Sequence, residues 1–147
     1  MTSNGEVRSA TSRDRQAVIR LLRAAALPTD GVPATLHDFY VAEAHGRIVG
    51  AIGLELYDGS ALLRSAVVDA DARGAGIGEA LVRRVLDHAR TRGIRDVYLL
   101  TTTAERYFPR FGFQRIDRQE VPAGVQASVE FQHACPASAV AMRRPVS

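Results

Sequence analysis

Val67-Val68-Asp69-Ala70-Asp71-Ala72-Arg73-Gly74-Ala75-Gly76-Ile77-Gly78 leads from an apolar run through a glycine-rich segment into an amphipathic pattern. Glycines let backbone N–H groups converge without Cβ obstruction, and a helix start adds N–H groups without intrahelical acceptors and the positive end of a dipole. This combination is typical of a site for an oxyanion. Arg73 lies at the mouth of the loop, where it either contacts the anion or braces the loop.

The residues around this loop predict a mixed α/β order of elements in a single domain over residues 1–147, without repeats. His45-Gly46 and Asp58-Gly59 are turn signals between alternating apolar runs, which indicates an antiparallel meander. Helices are predicted from Thr11 or Ser12 to residue 26 and over residues 76–92, 104–111 and 125–133, with a short one over 36–39. Strands are predicted over residues 7–9, 40–44, 48–57, 61–68, 96–100, 113–117 and 139–143.

The composition excludes several classes of protein. The chain has 147 residues, of which 46% are apolar and 24% charged, as in ordinary globular domains. All 19 basic residues are arginines and are interleaved with 16 acids, which favours a solvated surface over a nucleic-acid interface. The absence of lysine excludes a Walker-type phosphate loop and a Schiff-base enzyme.

Cysteine content and hydropathy bear on the compartment. Cys135 is the single cysteine and cannot form an internal disulfide, which favours a reducing cytoplasm. No apolar run reaches the roughly 18 residues of a membrane span, and the first ten residues lack the apolar centre of a signal peptide. We therefore expect a cytoplasmic protein without membrane partners; whether it forms a homodimer is left open.

The spacing of the glycines separates two classes of anion site. A dinucleotide-binding fold requires G-x-G-x-x-G after an early strand, whereas this chain has G-x-G-x-G after its fourth predicted strand. Residues 73–78 instead resemble the R/Q-x-x-G-x-G/A signature of the GNAT acetyltransferases, and the ending Arg110-Phe111-Gly112-Phe113 extends the resemblance. The bland alternative is a glycine-rich turn of structural use only.

The GNAT resemblance implies a central, mostly antiparallel sheet flanked by helices, with acetyl-CoA as co-substrate. It implies that the thioester lies between Val67-Val68 and Leu99-Leu100, with the Val68 N–H polarising the carbonyl. A primary amine then attacks directly, so no nucleophilic side chain is required. The cofactor-binding residues implied are Val67, Val68, Arg73, Gly74, Ala75, Gly76, Ile77, Gly78, Thr102 and Phe108.

A narrower resemblance concerns the acceptor. Arg64-Ser65, residues 99–103 and the tail from Ser138 to Met142 are similar to the acetyltransferase domain of N-acetylglutamate synthases and to small GNAT proteins associated with arsenic resistance. Both imply that the amine is a small glutamate-like amino acid or analogue. Stand-alone N-acetylglutamate synthesis and a non-catalytic acyl-CoA sensor are the alternatives. The substrate-binding residues implied are Arg64, Ser65, Leu100, Thr101 and Ser138.

Two charged residues are the main acceptor-site candidates. Strand alternation places Arg64 on one face with Ala66 and Val68, where a desolvated guanidinium needs either a substrate carboxylate or an internal Asp or Glu. Glu55 is the first candidate for the base that deprotonates the amine. The alternative is that its face of the strand is exposed to solvent and has no catalytic role. His37 and His133 are lesser candidates.

The usual proton donor to the leaving thiolate is absent from its expected position. GNAT enzymes commonly carry Tyr four residues before the glycine of the G-F ending, but this position is Phe108, and Tyr107 is the neighbouring candidate for the acid. A helix would turn Tyr107 about 100° away from position 108, so water is the alternative proton donor.

His133-Ala134-Cys135 offers too few ligands for a closed metal site, and no metal site is predicted.

Overall fold

A computed structural model describes residues 6–128, 131 and 139–146 of the chain. The strands are β1 (Glu6–Ser9), β2 (Phe39–Ala44), β3 (Arg47–Tyr57), β4 (Ser60–Val68), β5 (Asp96–Thr101), β6 (Gln114–Ile116) and β7 (Val140–Pro145). The α-helices are α1 (Arg15–Ala24), α2 (Ile77–Thr91) and α3 (Ala123–Gln126). Every predicted strand is present, with bounds shifted by at most two residues.

The strands form one seven-stranded sheet in the order β1-β2-β3-β4-β5-β7-β6. The pairs β1–β2, β2–β3, β5–β7 and β6–β7 are antiparallel. β4 and β5 pair in parallel, from Ser60 opposite Asp96 to Leu62 opposite Tyr98. The mixed, mostly antiparallel sheet expected from the sequence is therefore confirmed.

The chain divides into two compact units, and the division falls within β3, β4 and α2. The first unit extends up to Gly53 and from Ser65 to Val85. Its core packs the apolar stripe of α1 against β2 and β3, and includes Val18, Leu22, Val32, Leu36, Phe39, Val41, Ala51 and Val67. The Asp14 carboxylate ties β1 to the start of α1, since it accepts from Arg8 at 2.9 Å and from the Thr11 N–H at 2.8 Å.

The second unit comprises Leu54–Arg64 and the chain from Leu86 onwards. A buried cluster of Leu62, Tyr98, Val121, Val125 and Ala141 joins β4, β5 and β7 to the segment around α3. Tyr57, Leu100, Ile116 and Phe131 pack against this cluster and remain partly exposed. The α3 segment therefore covers the part of the sheet to which β3 contributes its last residues.

Three predicted helices differ from the structure. The short helix over residues 36–39 is wrong, because Leu36 and Asp38 adopt left-handed backbone angles and β2 begins at Phe39. The helix over 104–111 is reduced to a 3₁₀ helix at Phe108–Phe111, ended by Gly112 at φ 90°. α3 begins two residues earlier than predicted, and residues 129, 130 and 132–138 lie outside the described part of the chain.

No helix within the described part of the chain is both long enough and apolar enough to cross a bilayer.

Candidate functional site

The glycine-rich loop connects the end of β4 at Val68 to the start of α2 at Ile77. Gly74 and Gly76 have φ angles of 89° and 79°, which side chains other than glycine rarely adopt. A Cβ added at either position would meet no atom within 4 Å, so the loop is open on that side. The backbone of residues 73–76 is thus exposed at a helix start, as an anion site requires.

Hydrogen bonds fix the start of this loop to the first unit. The Asp69 N–H donates to the Val49 carbonyl at 2.8 Å and continues the β3–β4 ladder past the end of the strand. The Asp69 carboxylate accepts from the Asp71 N–H at 3.0 Å and from Arg47 at 2.9 Å. These donors hold the pKa of Asp69 below its ordinary value of 3.8.

A close approach between α2 and β3 sets the position of the helix start. A Cβ at Gly50 would lie 3.0 Å from Leu81 Cδ1 and 3.2 Å from Ile77 Cγ2. A side chain at position 50 would force α2 and the strand apart by a few tenths of an ångström, so glycine suits this close approach. Ile77 is buried, whereas Gly74, Ala75 and Gly76 are exposed, so the helix is anchored just behind the open loop.

Arg73 occupies the bracing position among its two predicted roles. Its Nε donates to the Val68 carbonyl at 3.4 Å, and its side chain remains exposed. A contact of that length is weak, so the guanidinium can reorient toward an anion at small cost. Val67 is buried and Val68 half-buried at the end of β4.

Ser65 interrupts β4 with a left-handed backbone at φ 59°. Residues other than glycine reach this region at a cost of order 1–2 kcal/mol, and inside a strand it reverses the regular alternation of side chains. The prediction that Arg64, Ala66 and Val68 share one face assumed uninterrupted alternation, and Ser65 removes that assumption. Ala66 is half-buried and Val67 is buried, which reflects the change.

Glu55 and Arg64 lie together in the second unit. Arg64 Nη1 donates to Glu55 Oε2 at 2.6 Å, and the arginine side chain has no exposed surface. The Glu55 side chain is 21% exposed. Of the two partners predicted for Arg64, the structure therefore shows the internal carboxylate. The Glu55 side chain is only partly exposed to solvent and is paired, so its face of β3 is not simply a solvated surface.

Tyr57 completes this group and was not singled out from the sequence. Its hydroxyl donates to Glu55 Oε1 at 2.5 Å. Burial, together with this bond, raises the pKa of Tyr57 above its ordinary value, and a hydrogen bond from Ser128 acts in the opposite direction. We call Glu55, Tyr57 and Arg64 the carboxylate cluster.

The predicted acid Tyr107 lies in an aromatic group. Its ring meets those of Phe108 and Phe111 edge-on, each at 5.3 Å between centroids, and the Arg110 guanidinium lies 4.6 Å above it. Phe108 is buried and also meets Phe113 at 5.6 Å. Phe108 therefore serves packing in this region, whereas Tyr107 is half-buried beside it.

The remaining predicted residues lie at the end of β5 or beyond the described chain. Leu100 packs beside the buried cluster of the second unit, and the Thr101 hydroxyl accepts the Ala104 N–H at 2.9 Å. Thr102 follows β5 and is exposed. Ser138, His133 and Cys135 lie outside the described residues.

A metal centre is not among the arrangements that the described residues form. No group of three or more His, Cys, Asp or Glu side chains within that part of the chain is placed to hold an ion.

Known proteins resemble this chain in sequence. Residues 35–115 match the acetyltransferase (GNAT) domain family. An amino-acid acetyltransferase of Mycobacterium tuberculosis is 36% identical over 94 residues, which are 61% of this chain and 53% of that protein. An amino-acid acetyltransferase of Aeromonas salmonicida is 26% identical over 138 residues, and the match covers 31% of its length. The chain thus spans about half or less of the length of these relatives.

Solved structures resemble it in fold. Rv2747 of Mycobacterium tuberculosis, determined in complex with CoA and NLQ, superposes with a TM-score of 0.82 at 25% identity and covers 97% of this chain and 99% of its own. N-acetylglutamate synthase of Neisseria gonorrhoeae, in complex with coenzyme A and L-arginine, gives 0.81 at 22% identity and is covered over 33% of its length. Because residues 35–115, more than half of the sequence, match the family, the chain belongs to the GNAT acetyltransferases.

Proposed function

We propose that this chain is an N-acetyltransferase that moves the acetyl group of acetyl-CoA to the α-amino group of a small glutamate-like amino acid or analogue. The observation that carries the proposal is the loop of residues 73–78, with two left-handed glycines open to solvent at the start of α2. Such a loop suits the diphosphate of a coenzyme, because N–H groups and the helix dipole favour negative charge. Membership of the GNAT family supports the same ligand.

The loop residues have separate proposed roles. Gly74, Ala75, Gly76 and the first turn of α2 offer N–H groups to the diphosphate, and Arg73 adds a charged contact after leaving the Val68 carbonyl. Val67 and Val68 line the thioester, and the Val68 N–H stabilises the oxygen on which charge develops. Thr102 and Phe108 are assigned to the cofactor site by the family resemblance.

The chemical step needs positioning and two proton transfers. The amine nitrogen attacks the carbonyl carbon, the C–S bond breaks, and the nitrogen gives up its proton while the thiolate takes one. Glu55 is the proposed base, since its side chain is partly exposed whereas that of its partner Arg64 is not. Tyr107 or a water supplies the proton to the thiolate, which leaves readily because free thiols have pKa values of about 8.5.

Amino-acid acetyltransferases among the relatives support an amino-acid acceptor. Ser65, Leu100, Thr101 and Ser138 are the proposed acceptor-binding residues. The resemblance to arsenic-resistance proteins adds analogues of glutamate in which arsenic or phosphorus replaces the side-chain carboxyl group. Stand-alone synthesis of N-acetylglutamate is the second candidate, favoured by the fold shared with the synthase of Neisseria gonorrhoeae.

A single assay tests these functions. Purified protein is incubated with acetyl-CoA and a panel of amines, comprising glutamate, its arsenic and phosphorus analogues, aspartate, glutamine and lysine. Release of free thiol is followed, and the products are identified by mass spectrometry. We expect turnover with glutamate-like acceptors and little with lysine.

Each outcome of the panel selects one function. Preference for the arsenic or phosphorus analogues supports a role in detoxification, and turnover of glutamate alone supports the biosynthetic alternative. Binding of acetyl-CoA without transfer to any amine would reject the enzyme and leave an acyl-CoA sensor.

A further inference from the structure

We propose that Arg64 and Tyr57 are positioning residues that fix the Glu55 carboxylate as the proton acceptor for the amine. Arg64 then acts through Glu55 and does not bind the carboxylate of the substrate. This inference rests on the proposed function and specifies how its acceptor site works.

The geometry gives each oxygen of Glu55 one strong donor. Tyr57 reaches Oε1 at 2.5 Å and Arg64 reaches Oε2 at 2.6 Å. Bonds to an ionised carboxylate at these lengths are the strong, charge-assisted kind. A glutamate side chain has three rotatable bonds, and two bonds from different strands remove that freedom. The carboxylate is thereby held in one orientation before a substrate arrives.

Burial in the cluster favours this order of roles. The Arg64 side chain has no exposed surface, whereas that of Glu55 is 21% exposed. A solute that approaches the cluster from water therefore meets the Glu55 side chain and not the Arg64 guanidinium. An ammonium group is attracted there, while a substrate carboxylate would have to compete with Glu55 for the buried guanidinium.

The surroundings of Tyr57 show that its hydroxyl is itself oriented. The ring packs against the buried cluster that contains Leu62 and Val125, and the backbone of α3 passes close to it. A chain of contacts therefore leads from the α3 segment through Tyr57 to Glu55. A side chain held only for packing would not need its hydroxyl aimed at a carboxylate.

Double-mutant cycles test this inference. Tyr57→Phe and Arg64→Lys are made alone and in a Glu55→Gln background, and kcat and amine KM are measured with the acceptor that the natural protein uses best. Assays at pH 9.5 keep the Glu55→Gln background measurable, because more of the amine is free base. Tyr98→Phe is the matched control, since Tyr98 is a buried tyrosine of the same unit. Urea unfolding and acetyl-CoA binding confirm that each variant is folded.

We expect each positioning variant to lower kcat by about 10- to 100-fold, the cost typical of a misplaced reacting group, with amine KM changed less than threefold. In the Glu55→Gln background the same substitutions should have almost no further effect, and Tyr98→Phe should resemble the natural protein. Arg64→Lys keeps the charge, so its kcat should exceed that of Arg64→Ala.

Other results would overturn the inference in distinguishable ways. A rise in amine KM with unchanged kcat in Arg64→Lys would show instead that Arg64 binds the carboxylate of the substrate. Losses that multiply in the double variants would show that Tyr57 and Arg64 act independently of Glu55. Should Arg64→Lys fail to fold, the Tyr57→Phe cycle alone decides. The KM rise in Arg64→Lys and the multiplied losses in the double variants would each overturn the inference but not the proposed transferase activity. If the natural protein transferred no acetyl group, the proposed function and the inference would both be rejected.

Discussion

Gly53 shows how one residue controls the packing of the first unit. A Cβ at this position would lie 2.5 Å from three atoms of the Phe39 ring, closer than any real contact. Phe39 is part of the buried core with Val41 and Ala51, so its ring has little room to move. The ring therefore occupies the volume that a side chain at position 53 would need.

We predict that Gly53→Ala destabilises the protein by about 1–3 kcal/mol, because overpacking displaces the Phe39 ring. Urea unfolding monitored by circular dichroism measures the effect. Gly124→Ala is the matched control, since its Cβ would lie 3.6 Å from Tyr57, an ordinary contact, and alanine favours the helix there. Equal losses in both variants would contradict the role given to Phe39.

Residues of the carboxylate cluster were partly predictable. Burial of an arginine requires an anion, and strand alternation places Glu55 and Tyr57 on one face of β3. The sequence therefore points to Glu55 and Arg64 separately. That Glu55 and Arg64 bond to each other, and that the Tyr57 hydroxyl reaches the same carboxylate, depends on the pairing of β3 with β4, which no local sequence pattern predicts.

Among the structural elements, the glycine-rich loop before α2 is the one whose alteration should most affect coenzyme binding. Gly76→Val should weaken acetyl-CoA binding at least tenfold, because a β-branched residue opposes the left-handed angle and its side chain occupies the open face of the loop. Isothermal titration calorimetry with acetyl-CoA measures the affinity.

Gly46→Val is the control for this variant. Gly46 has a φ of 76° and equally open surroundings, but it lies in the β2–β3 turn. Both valines should therefore destabilise the fold by similar amounts, while only the one at position 76 lowers the affinity. Unchanged binding in Gly76→Val, or equal losses of binding in both, would remove the loop from the coenzyme site.

Elements with a strong apolar period could be predicted, and others could not. α2 carries buried residues at four-residue spacing and ends before Gly93, which has a φ of 75°. The spacing and the glycine therefore predict both the length of the helix and its C-terminal end. Residues 36–39 contain apolar residues that suit a turn of helix equally well. Left-handed angles at Leu36 and Asp38 decide against it, and these depend on how the core takes up Leu36 and Phe39.

The whole molecule lacks lysine, which simplifies its response to alkali. Arginine stays charged, so no side-chain ammonium titrates near pH 10. Burial raises the pKa of Tyr57 and of Tyr98 above the ordinary value of 10.0. A pKa raised in the folded state contributes stability that is complete below the unfolded value and is lost as pH rises through the folded value.

We predict that the free energy of unfolding changes little between pH 8 and pH 9.5 and then falls as pH rises above 10. Urea titrations across this range measure it. Tyr57→Phe combined with Tyr98→Phe should show a shallower fall, because it removes two tyrosines that ionise in the unfolded chain at a pH where they remain protonated in the folded protein. A fall of the same steepness in the double variant would assign the alkaline response to other groups.

The left-handed angle at Ser65 also limits how β4 can slip within the sheet. A shift by two residues keeps each side chain on its own face, because side chains alternate along a strand with a period of two. Here such a shift would move the reversed angle onto Leu63 or Val67, and both side chains oppose it. This one irregular residue thus restricts the register of β4, since only one register leaves every backbone angle on a residue that tolerates it.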